Sequence, residues 1–219
     1  MTPVKTHMDQ EMELVFQKLG ELTDRIDITI KEAIASVKNK DTELARRIID
    51  NDEAIDVLEE EIGDKCIRIL ATQQPLAGDL RKVVSIMKMI KDLERIGDHC
   101  EDIAKYTLRL ENEDYFKELV DIPRMADYAA RMVRNAIDAF INMDLRLARK
   151  VWKADEEVDE IFRDIYAELL AFIDEDASKA KQSVMFLFIA SHLERIADYA
   201  TNICEETVFA MEGTHDMEK

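Results

Sequence analysis

Glycine and proline are scarce, at 5 and 3 residues in a chain of 219. With so few breakers, and with Ala, Leu, Ile, Glu, Lys, Arg and Met filling almost every window, helix formers dominate throughout. The fold class that follows is all-α. A surplus of basic charge is also missing: 30 Lys and Arg stand against 48 Asp and Glu, a formal net charge of −18. Broad nucleic-acid binding and adsorption to anionic lipid both need basic surface, so cations and basic partners fit better. Cysteine is limited to Cys66, Cys100 and Cys204, an odd number with no CxxC pair, each among apolar helical neighbours. That usage predicts buried reduced thiols and a cytoplasmic protein. The longest apolar run, Val184 to Ala190, falls far short of the roughly 20 residues of a membrane helix. The acidic opening MTPVKTHMDQEME has no secretory-signal character. A Gly-rich phosphate loop, a GxSxG elbow and a Cys/His nucleophile set are all absent.

What is there is helix in long stretches. Hydrophobic residues make up 47% of the chain, enough to bury a core in one large domain or two of about a hundred residues. Leu14, Leu19, Leu22, Ile26, Ile30, Ile34 and Val37 follow three-four spacing, which predicts a first helix from Thr6 to Lys38. Asp41 is a candidate N-cap for a second helix reaching Thr72. The segment Gln73 to Asp79 (QQPLAGD) reads as a loop, with Asp79 a candidate cap for a third helix ending near Glu113. The pattern then restarts. A fourth helix runs from Asp121–Pro123 to Asn142, a fifth from Asp144 to Asp174 and a sixth from Ser178 to Met211. Residues Gly213 to Lys219 read as a frayed tail.

The restart is an internal repeat. Asp41 to Asp56 (DTELARRIIDNDEAID) aligns with Asp144 to Asp159 (DLRLARKVWKADEEVD) at a shift of 103, with 7 of 16 positions identical. DLERIGDHCEDIAKY, from Asp92, aligns with HLERIADYATNICEE, from His192, at a shift of 100. The three-residue difference falls on the QQPLAGD loop, where length changes are tolerated. The expected architecture is therefore two tandem repeats of a three-helix bundle, residues 1–114 and 115–212, followed by a tail, 213–219. Short connections make neighbouring helices antiparallel.

Each repeat carries two acidic pairs at i,i+4: Asp52/Asp56 and Glu94/Asp98 in the first, Asp155/Asp159 and Glu194/Asp198 in the second. On a helix such residues share a face, and like charges there destabilise it by a few tenths of a kcal/mol. In a chain with 36% charged residues, an isolated pair of this kind is ordinarily a solvated helix face. Retention of all four pairs between diverged halves argues for a shared purpose. Asp56 and Glu94 stand equally far from the loop at Pro75, so the pairs of one repeat should lie at similar height and converge. Four converging carboxylates suit hard or borderline cations: magnesium, calcium, manganese, iron or zinc. Their charge exceeds that of one divalent ion, so a multinuclear cluster fits. Asp102 and Asn202, one turn further on, are possible outer ligands, and His99 beside Asp98 is another. His99 aligns with Tyr199 and His192 with Asp92, so neither histidine is repeated, and a surface or packing role is the simpler expectation. Arg95 and Arg195 are repeated and read as salt-bridge partners of acidic neighbours. The methionines of MKMI and VMFLF, and Trp152, read as core.

Taken together, DLERIGDH at Asp92 to His99, HLERIADYATNICEETVF at His192 to Phe209 and the DxxxD segments in a duplicated three-helix layout resemble the PhoU family of phosphate-signalling regulators. The resemblance covers nearly the whole chain. The second copy reads LERIADY where the family commonly has LERIGDH, with Ala197 and Tyr199 as the departures. The resemblance implies a cytoplasmic, non-enzymatic, all-helical regulator able to carry multinuclear metal, divalent or trivalent, on its E/DxxxD faces. It implies a negative regulator of phosphate uptake and of the phosphate-starvation response. The implied partners are the ATPase subunit of a phosphate ABC transporter and a sensor histidine kinase, and a homodimer is one option for assembly. Two other readings stay open on the residues alone. A ferritin-like carboxylate-bridged metal enzyme also places acids on bundle helices but needs Glu-x-x-His pairs, and the one formal match, Glu212 to His215, lies in the tail. A metal-free helical scaffold would leave the acids merely solvated.

Overall fold

The computed structural model describes residues 7–218. Seven α-helices follow one another: α1 (His7–Asn39), α2 (Thr42–Asp50), α3 (Glu53–Gln73), α4 (Gly78–Arg109), α5 (Asp121–Ile141), α6 (Leu145–Glu175) and α7 (Ala180–Glu212), with a 3-10 turn at Ala177–Lys179 before the last. No strand occurs among the described residues. The all-α expectation and the two three-helix repeats are both observed, with α2 and α3 together taking the place of one long helix. Thr6, the expected start of the first helix, lies outside the described residues.

The repeat is visible atom by atom at two corners. Between α1 and α2, Lys40 adopts a left-handed φ of 53°, and the Asp41 N–H donates to the Ser36 carbonyl (2.9 Å). The Asp41 carboxylate then caps α2 by accepting from the Leu44 N–H (2.9 Å). Between α5 and α6, Met143 has φ 52°, Asp144 N–H reaches the Ala139 carbonyl (2.8 Å), and the Asp144 carboxylate accepts from Leu147 N–H (3.0 Å). A left-handed residue closes one helix and an Asp opens the next, satisfying groups that helix ends leave orphaned.

The repeats differ at the next step. The expected second helix is interrupted at Asn51–Asp52, where Ala54 and Ile55 N–H groups reach back three residues to the Asn51 and Asp52 carbonyls (3.1 and 2.8 Å). The corresponding stretch of α6 is continuous. Ala154 stands there in place of Asn51, and Asn, whose side chain competes for backbone hydrogen bonds, is the weaker helix former.

Three local expectations are corrected. Asp79 does not cap α4: Ala77 holds the cap position without a side-chain bond, and Asp79 sits in the first turn facing Lys82 at 3.7 Å. The third long helix stops at Arg109, not near Glu113. The segment beyond it, 110–120, is packed rather than loose: the Tyr115 hydroxyl donates to the Val37 carbonyl (2.8 Å), and the Phe116 N–H donates to Gln182 Oε1 (3.0 Å). Nor does the tail fray over its described part. Gly213 turns the chain with φ 76°, His215 stacks on Phe209 (centroids 4.6 Å apart), and Met217 is buried.

The core is continuous across both repeats. Within each, the three helical segments pack on one another, while α4 lies along α7 and α1 along α5, joining the halves. Phe140 and Phe186 are the largest fully buried side chains. Met89 is buried, and Trp152 packs against the core while partly exposed. All three cysteines are buried free thiols, and burial pushes Cys66 and Cys204 up to about 12, well away from reactivity.

Candidate functional site

In the first repeat α3 presents Asp52 and Asp56, and the neighbouring α4 presents Glu94 and Asp98. Their electrostatics show that they meet. Burial first, then the charges of Asp98, Asp56, Glu101 and Glu94, push the Asp52 carboxyl up to about 6. Glu94 and Asp98 are likewise raised, each mainly by burial and then by another member of the group. The second repeat reproduces this on α6 and α7. Asp155 rises to about 6 through burial, Asp159, Asp198 and Glu194, and Glu194 and Asp198 are raised in turn. The convergence expected from helix register is thus present twice.

None of these eight carboxylates forms an ion pair with a described Lys, Arg or His, although their neighbours do. Glu59 takes Lys91 (2.9 Å), Asp92 takes Arg95 (3.3 Å), and Lys105 is held by Glu101 and Asp102. Arg95 therefore pairs with Asp92, not with the acidic face. Asp52, Glu94, Asp155, Asp159 and Glu194 are half-buried while Asp56, Asp98 and Asp198 are exposed, and crowding of like charge on the half-buried ones is costly.

The local fold explains how Asp52 reaches its place. The break between α2 and α3 puts it at the head of α3, where it makes no capping bond. It lies against Gly97 of α4: a Cβ added there would stand 3.2 Å from Asp52 Oδ1 and 2.9 Å from Ile55 Cδ1. In the second repeat the glycine is Ala197 and the isoleucine is Val158, which lacks that Cδ1 methyl. The Gly-to-Ala departure is matched by loss of the atom it would strike.

Comparison of the halves overlooked two residues. Glu101 and Glu59 add to the negative field of the first face, and their counterparts are Thr201 and Phe162. The first face is therefore the more acidic. A filter based on repetition discards unrepeated acids, and only their placement reveals them. Asp102 is close enough to raise Asp98, while Asn202 is exposed.

His99 turns away from the first face toward α7. Its Nδ1 lies 2.9 Å from His192 Nδ1, and its ring stacks on Tyr199 at 5.7 Å. Burial, then His192 and Arg195, holds His99 down at about 4, and burial lowers His192 as well. Among the described residues, His99, Asp102 and His192 each place a donor atom within 4.8 Å of the other two. The eight paired carboxylates gather no three donors that closely.

Comparison with known proteins bears on family and fold. The PhoU domain model matches residues 19–107 and again 122–207. A phosphate-specific transport system accessory protein PhoU homolog from Clostridium acetobutylicum is 35% identical over 206 residues, covering 94% of each chain. The Escherichia coli protein of that name, PhoU, is 30% identical over 96% of this chain and 87% of its own. Among solved structures, PhoU from Pseudomonas aeruginosa superposes with a TM-score of 0.90 at 31% identity, covering 95% of this chain and 100% of the other. The phosphate transport system regulatory protein PhoU from Streptococcus pneumoniae gives 0.89 at 31% identity, over 96% and 99%. Two domain matches, relatives aligned over nearly their whole length and the same twofold helical layout place this chain in the PhoU family.

Proposed function

We propose that the protein is a cytoplasmic, non-enzymatic regulator of phosphate uptake and phosphate-starvation signalling, acting negatively through the ATPase subunit of a phosphate ABC transporter and a sensor histidine kinase. Metal on the two acidic faces shapes the surface that docks. The names of its relatives, accessory and regulatory proteins of phosphate transport, support the first part. The observation that carries the second is the set of eight carboxylates, grouped four and four, five of them half-buried and three exposed, none in an ion pair with a described basic residue.

Asp52, Asp56, Glu94 and Asp98 would hold metal in the first repeat, and Asp155, Asp159, Glu194 and Asp198 in the second. The donor set fits, being all carboxylate oxygen, the chemistry of magnesium, manganese, iron and zinc rather than of soft ions. The bound cation supplies positive charge where the chain places four negative ones. The chain's own part is to bring α3 onto α4, and α6 onto α7, so that each pair faces the other. Gly97 and Val158 leave the room that this approach needs.

The ferritin-like alternative finds less support. Its one Glu-x-x-His match ends at His215, which stacks on Phe209 beside Glu206 and touches neither acidic face. The test is metal content by mass spectrometry on protein purified without added metal. Several equivalents in wild type should fall by about half when Asp52, Asp56, Glu94 and Asp98 are all made amides. Pulldown of the transporter ATPase and the kinase, with and without chelator, then reads the docking role. Equal metal content in both proteins would remove the acidic faces as metal sites, and pulldown indifferent to metal would leave them without a part in docking.

A further inference from the structure

We propose that His99, Asp102 and His192 form a separate metal site, one per chain, for a single borderline divalent ion of the zinc type. His99 and Asp102 stand one turn apart on α4, and His192 comes from α7, so the ligands span the two repeats. One donor atom of each lies within 4.8 Å of the others, and the two Nδ1 atoms are 2.9 Å apart. With Zn–N bonds of about 2.05 Å, nitrogens at that separation subtend roughly 90° at the metal, and opening by about 0.4 Å reaches the tetrahedral angle. Two imidazoles and a carboxylate favour zinc or iron over magnesium or calcium. The acidic faces, all oxygen, have the opposite bias.

The competing account is a plain histidine pair sharing one hydrogen bond. In that pair one Nδ1 must carry the proton and the other must be bare. His99 Nε2, however, is buried without a hydrogen-bond partner, so nothing on its far side commits the ring to either tautomer. A metal ion can take the place of the shared proton. Asp102 gives one oxygen to Lys105 (3.1 Å), and a carboxylate keeps a second for a ligand. Tyr199 and Tyr106 flank the two rings (centroids 5.7 and 5.9 Å away) and hold them in place.

Asp102 and His192 border a groove of about 330 Å³, which provides the entry path. Lys105, Arg109 and Arg195 line the same groove. Three protein ligands leave a position open, and this basic rim makes an anion the favoured fourth ligand. The site cannot occur twice, because Tyr199, Asn202 and Asp92 stand at the equivalent positions. For that reason a comparison of the repeats passes over it.

The test uses Zn²⁺ and Co²⁺ on chelator-stripped full-length protein. In a variant carrying Asp56→Asn, Asp98→Asn, Asp159→Asn and Asp198→Asn, equilibrium dialysis should still find about one Zn²⁺ per chain, and adding His192→Gln should abolish it. Zinc binding unchanged by His192→Gln, or none in the four-amide variant while it keeps its helical circular dichroism, would overturn the site. Co²⁺-loaded wild type supplies a readout that needs no variant: two hyperfine-shifted, solvent-exchangeable histidine N–H resonances are expected, and their absence also overturns it. Failure of the acidic-face reading looks different. In that case wild type and the four-amide variant bind zinc equally, and only the histidine signal remains.

Discussion

Gly97 is where one missing atom decides how closely two helices approach. Gly97→Ala would gain the roughly 1 kcal/mol by which Ala exceeds Gly in a helix, but its Cβ would meet Ile55 Cδ1 at 2.9 Å, an overpacking worth about 1–3 kcal/mol. The single variant should be neutral to about 2 kcal/mol less stable. Ile55→Val in the same chain should recover the loss, giving a coupling of about 1 kcal/mol or more in a denaturant double-mutant cycle. Additive effects would mean that α3 simply shifts. Asp52 and Asp155 offer a second test at this scale. Both titrate near 6 in the fold against 3.8 for the ordinary carboxyl. Between those values the folded protein holds protons that the unfolded chain has released, so these groups make metal-free protein more stable as pH falls from 7.5 to 4.5. With metal loaded the trend reverses, because protons compete for the same oxygens. Melting temperatures with and without chelator should therefore converge as the pH drops through 6; parallel curves would count against metal on these carboxylates.

At the scale of elements, the two Asp-capped corners set the direction in which each second helix leaves the first. Asp41→Ala and Asp144→Ala should each cost about 1 kcal/mol, read by chemical denaturation, and the corresponding Asn variants should cost much less. The break at Asn51–Asp52 distinguishes the halves. Asn51→Ala supplies the residue that α6 has at that point and should raise helicity by circular dichroism if Asn is what interrupts the helix. Unchanged helicity would assign the break to packing around Ile55 and Gly97 instead.

For the whole molecule, the repeats are not independent bodies. Packing of α4 on α7 and of α1 on α5 buries one core, and cross-links such as Ser85 Oγ to Glu206 (2.9 Å), Lys88 to Glu206 (2.7 Å) and Arg134 to Asp27 (2.8 Å) join them. Residues 1–114 or 115–219 expressed alone should lack a cooperative melt and bind a hydrophobic dye, since each would expose half of that core. Mixing the two should restore helical content, and a sharp two-state transition in either piece would refute a shared core.

The sequence by itself determined the helices, the repeat and the acidic pairs. Composition, three-four periodicity and the recurrence of a segment after a hundred residues are local signals, and helix register alone carries Asp56 and Glu94 to the same height. It also yielded the cap at Asp41, since an N-cap is written in the few residues around it, and placed a helix start at Asp144. Asp79 misled because a first-turn acid and a cap look alike in sequence. Only the tertiary structure decided what crosses between distant segments. His99 meets His192 because α4 lies along α7, an approach that no periodicity encodes, and Glu59 and Glu101 join the first face without counterparts in the second. The tail is ordered by Phe209 and Met217, through packing that its short polar sequence does not announce. Whether carboxylates lack a basic partner is likewise a property of the assembled surface, because it depends on where every lysine and arginine of a strongly charged chain comes to rest.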